Sequence, residues 1–121
     1  MKSKSKNFII PLVVYPFDVM VSLGETDDQL KNVLTKLNVE WEDLMKCEGK
    51  GRFIMNGKNQ SIIRTSFYPK TCEDYGHLQH EIFHAITFIM SRVGMKLKLL
   101  QNDEAYAYLI CYLTTEIYKK I

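Results

Sequence analysis

The spacing of apolar positions changes along the chain, and each change marks an element. Residues 8 to 23 read as extended structure. Val19, Val21 and Leu23 alternate with Met20 and Ser22 at a period of two, and Pro11 and Pro16 confine the earlier part to an edge or a bend. Gly24 ends the run. Thr26 then opens a helix, with Gln29 as its capping-box partner and Asp27 and Asp28 at the positive helix end. Leu30, Val33, Leu34 and Leu37 follow at i, i+3, i+4 and i+7, a stripe that faces a core. A short helical turn carries Trp41, Leu44 and Met45 before Gly49 and Gly51 break it. FIM and SIIRTSF are strand-like runs on either side of Asn56-Gly57, a strong hairpin signal. Pro69 stops the second run, and KTCEDYG reads as a loop.

Helical spacing returns at about residues 77 to 93, closed by Gly94. The loop MKLKLLQ leads to Asn102 or Asp103 as N-cap of a last helix that runs to about Tyr118. The order β, α, ββ, α, α makes the class α+β: a small antiparallel or mixed sheet packed on the helix at 77–93 and on the C-terminal helix. Residues 1–121 form one domain, with 1–7 as a flexible tail.

Composition narrows the function. With 46% hydrophobic and 25% charged residues, the chain has the balance of a globular domain rather than a disordered one. A net charge of +2, from 16 basic and 14 acidic side chains, shows no basic excess of the kind a nucleic-acid binder carries. No segment approaches the ~18 apolar residues that span a bilayer. FIIPLVV follows three lysines, but Pro11, Pro16 and Asp18 interrupt it and no small-residue cleavage site follows, so a first strand is the reading over a secretory signal. Cys47, Cys72 and Cys111 are odd in number and lack CxxC spacing. They predict no disulfide framework, a reducing, cytoplasmic compartment, and core packing, for Cys111 above all.

The chemistry lies in HLQHEIFHAITFIM, residues 77 to 90. Leu78, Ile82, Phe83, Ala85, Ile86 and Phe88 surround His80, Glu81 and His84 with hydrocarbon, so the helix is expected to be buried and its polar groups to be partnered. His80-Glu81-Ile82-Phe83-His84 is an HExxH motif. Histidines at i and i+4 lie on one helix face and can reach one metal ion, while the glutamate beside them can take a proton from water that the metal activates. A catalytic zinc needs a third protein ligand. Glu104, Asp103, His77 and Glu116 are the candidates. The helix runs ~14 Å past His84 and the following loop can extend ~25 Å, enough to bring the start of the last helix back to the metal. Glu104 stands there, with Tyr108, Cys111 and Thr115 on the same helical face. His77, one turn before His80, is the alternative and would make a three-histidine site.

HEIFH followed by Glu104 within Asn102-Asp103-Glu104-Ala105 resembles the gluzincin branch of the zincin metallopeptidases. The resemblance covers about residues 77 to 118. It implies zinc held by His80, His84 and Glu104, Glu81 as general base, and a peptide or protein substrate bound along an edge strand, a role open to SIIRTSF. Many gluzincins carry an aspartate where this chain has Tyr108. They also draw an oxyanion-stabilising His or Tyr from a larger C-terminal subdomain, so Tyr106, Tyr108 or Tyr112 would serve here. The size and the tyrosine-rich last helix are also similar to compact HExxH proteins of phages and prophages. The expected function is a zinc metallopeptidase. The alternative is a non-catalytic metal-binding module that works by contact, such as a virion component or an inhibitor.

Overall fold

A computed structural model describes residues 4–13, 15–47, 49–55 and 60–121. Strands β1 (Lys6–Pro11) and β2 (Asp18–Leu23) are followed by helix α1 (Asp27–Lys36) and one 3-10 turn over Asp43–Met45. Strands β3 (Gly51–Met55) and β4 (Gln60–Thr65) precede the long helices α2 (Cys72–Arg92) and α3 (Asp103–Lys120). The four strands form one mixed sheet in the order β1-β2-β4-β3. β1 pairs antiparallel with β2, and β3 antiparallel with β4, while β2 and β4 run parallel through the α1 crossover. The class is α+β. Asn56-Gly57, the expected turn between β3 and β4, lies outside the described residues.

Both faces of the sheet are covered. Val19, Val21, Leu23 and Ile63 point toward α2 and α3 and join Leu78, Ile82, Ala85, Ile86, Leu113 and Ile117 in one core. Met20, Ile54 and Ile62 point the other way and meet Leu30, Leu34 and Met45 in a second. The period of two in β2 therefore separates two cores rather than a core from water. Val33 is only partly buried against the second core and Leu37 is exposed, because α1 ends at Lys36 and Leu37 is its C-cap.

Three boundaries differ from expectation. Lys6 and Asn7 belong to β1 instead of a tail, since Lys6 pairs with Leu23 and the Asn7 amide donates to Glu25. KTCEDYG is the start of α2 rather than a loop. Thr71 caps it, accepting from the Asp74 amide, while the Asp74 carboxylate accepts from the Thr71 amide, a capping box with aspartate in the glutamate position. Strand SIIRTSF does not lie at an edge. It pairs with β2 on one side and with β3 on the other, so the outer strand on that side of the sheet is β3. No helix among the described residues is long and apolar enough to cross a membrane.

Candidate metal centre

α2 carries the HExxH residues, and three of its sides meet different neighbours. Leu78, Ile82, Ala85 and Ile89 are fully buried toward the sheet. Gln79 bonds Thr114 and Tyr118 of α3, and the Tyr75 and Tyr118 rings lie 5.3 Å apart. Phe88 packs on Phe53 of β3. Nothing among the described residues covers the remaining side. The helix is therefore not buried all round as its composition suggests, for His80 and His84 are exposed and Phe83 is 48% exposed.

His80 Nε2 and His84 Nε2 stand 3.1 Å apart, their rings edge to face with centroids 4.7 Å apart. A tetrahedral zinc with bonds of about 2.0–2.1 Å holds two ligand nitrogens roughly 3.3 Å apart, so the pair fits that ion without moving a turn of helix. Glu81 is buried, only 7% exposed. Its Oε1 lies 3.9 Å from His80 Nε2, an ion pair whenever that imidazole carries both protons. The carboxylate reaches this place because β3 begins with a glycine. A Cβ on Gly51 would fall 3.1 Å from Glu81 Cγ and 3.2 Å from the Arg64 carbonyl. The missing side chain lets the glutamate lie against the strand backbone.

The third ligand does not join them. Among the described residues no group of three His, Cys, Asp or Glu side chains could hold a metal ion. Glu104 sits exposed in the first turn of α3, beside the end of α2, where the Tyr106 hydroxyl donates to the Met95 carbonyl. The connecting loop does turn back as expected, but α3 settles on the flank of α2 that carries Gln79. His80 and His84 point about 100° and 140° round the helix from Gln79. Glu104, Tyr108, Cys111 and Thr115 share a face, and that face is the solvent side of α3, which also leaves Cys111 outside the core. Tyr108, one of the three tyrosines expected to supply an oxyanion partner, is 74% exposed and lines an apolar cleft of about 350 Å³ with Leu12, Tyr15 and Tyr112. His77 contacts Glu73 at 3.5 Å and the edge of the Phe67 ring.

Another buried charge was passed over in the sequence. Arg64 of β4 is 1% exposed. Its Nη1 donates to the Met45 carbonyl at 2.6 Å and pairs with Asp27 Oδ1 at 2.7 Å, and Nη2 donates to the Glu25 carbonyl at 3.0 Å. An arginine directly after two isoleucines in a strand-like run was the available signal, since an arginine buried there must face partners. Nearby, burial pushes the Cys47 thiol above its ordinary pKa while Arg64 pulls against it, and the net rise keeps the thiol protonated. No family model, curated protein or solved structure matches this chain.

Proposed function

We propose that this protein is a small zinc-dependent peptidase whose metal is held by His80 and His84 and whose general base is Glu81. The observation that carries the reading is the convergence of the two imidazole Nε2 atoms at 3.1 Å beside a buried carboxylate. An accidental histidine pair on a surface helix has no reason to sit next to a glutamate that is nine-tenths buried.

Zinc, when bound, supplies Lewis-acid polarisation of the scissile carbonyl and acidifies water. Glu81 then accepts the proton of the attacking water and returns it to the leaving amine. Its seat against Gly51 keeps the carboxylate from swinging into solvent and keeps bulk water off one side. β3 is an outer strand of the sheet and touches both Glu81 and Phe88, so an extended peptide added along its outer side would run past the histidine pair.

A second reading has its own support. With no third ligand among the described residues, the pair also suits a metal-binding contact module without turnover. Casein hydrolysis with zinc present separates the two. The peptidase reading expects cleavage by the wild type and a loss of at least about 10²-fold in Glu81→Gln. Zinc binding without any cleavage would leave the contact module.

A further inference from the structure

The open side of α2 raises the question of what completes the coordination shell. We propose that two copies of this chain share one zinc ion through their His80 and His84 pairs, which joins the copies and closes the site. The inference rests on the reading that this pair binds zinc, and adds how the site is regulated.

The first argument is the coordination count. Zinc prefers four ligands in a tetrahedron, and one chain offers two imidazoles already spaced for it. Among the described residues nothing adds a third. A two-fold axis through the ion brings in a second identical pair and makes a complete set of four nitrogens, and two-fold pairing is the commonest symmetry of soluble oligomers.

The second argument is the surface around the pair. His80 and His84 lie on an exposed helix side that nothing among the described residues covers, so a second helix can approach them. Phe83, 48% exposed, sits between them in sequence. A two-fold axis beside it sets the two Phe83 rings near each other, flanking the ion and losing contact with water.

The consequence concerns the chemistry. Four imidazoles leave no coordination position for water, so the paired form is silent and the single chain is the open form. Rising zinc and rising chain concentration would both store the protein in the closed state.

Sedimentation velocity of the full chain, first with chelator and then with zinc chloride titrated in, tests this. The expected result is a monomer without zinc and a dimer saturating at about one zinc per two chains. Phe83→Ala, which keeps all four imidazoles, should weaken the zinc-dependent dimer about tenfold, and His84→Ala should stay monomeric throughout. A monomer that binds one zinc per chain would overturn the pairing and leave the zinc site standing. A zinc-induced dimer that survives His80→Ala together with His84→Ala would overturn it as well. No zinc binding at all would remove both the pairing and the reading beneath it.

Discussion

Arg64 and Glu81 are both charged, both buried, and on opposite faces of the same four-stranded sheet. Their surroundings differ completely. Arg64 is clamped by two backbone carbonyls and the Asp27 carboxylate, with its guanidinium 5.9 Å from the centre of the Trp41 ring. Those contacts tie β4 to the N-terminus of α1 and to the 3-10 turn, so the charge closes one layer onto the sheet. Glu81 has one polar neighbour within ion-pair distance among the described residues, His80 at 3.9 Å. The lesson concerns where a buried charge spends its interactions. A charge held by three partners of its own chain builds structure, even with its buried Nε unbonded among the described residues, and a charge whose ion-pair neighbour is one of two converging imidazoles is available for chemistry.

The largest expected effect sits on the structural side. Arg64→Met should destabilise the protein by about 3 kcal/mol. That is the low end for removing one member of a buried pair, because Asp27 is half exposed and regains water while two carbonyls do not. Urea unfolding measures it. A loss below 1 kcal/mol would show that Arg64 is no more than filler, and the comparison would collapse.

Gly51→Ala probes the boundary between the two roles. The added methyl meets the Arg64 carbonyl, which is backbone, and the Glu81 side chain, which can give. Overpacking of this kind costs typically about 1–3 kcal/mol. The displaced carboxylate should also shift the ring resonances of His80 while His77, held by Glu73, keeps its own. Equal shifts at both imidazoles would mean that Gly51 acts on the helix as a whole.

A smaller effect tests how α2 is anchored below the motif. Thr71→Ala should cost about 1 kcal/mol by removing the N-cap. The Lys70 and Thr71 amides donate to Asp74 and hold its carboxyl below the ordinary carboxylate range. With the folded pKa below the unfolded one, the carboxylate's contribution is complete above the ordinary value and disappears as pH falls through the lowered one. Wild type and Asp74→Asn should therefore differ in stability at neutral pH and converge in acid. Curves that stay parallel down to acid would remove the capping role.

Local rules were enough for much of this. Thr26 with Gln29 and the stripe from Leu30 marked α1, and HExxH marked the histidine pair, because each signal lies within one or two turns of helix. Long-range choices were not legible. The parallel pairing of β2 with β4 makes β3 the edge, and nothing in SIIRTSF itself distinguishes an inner strand from an outer one. The choice of flank by α3 decided the fate of Glu104. Gln79, Thr114 and Tyr118 fix that flank through side-chain contacts that helical periodicity does not reveal. Thr71 and Asp74 lengthen α2 through a capping box that uses aspartate in place of glutamate, a less familiar signature.

The most direct test of the central claim is zinc content measured side by side in wild type, His80→Ala and Glu81→Gln, all purified without chelator. The account predicts bound zinc in wild type, little in His80→Ala, and wild-type occupancy with undiminished stability in Glu81→Gln, where a neutral amide of the same shape replaces a buried anion. Zinc retained in His80→Ala, or lost in Glu81→Gln, would contradict it.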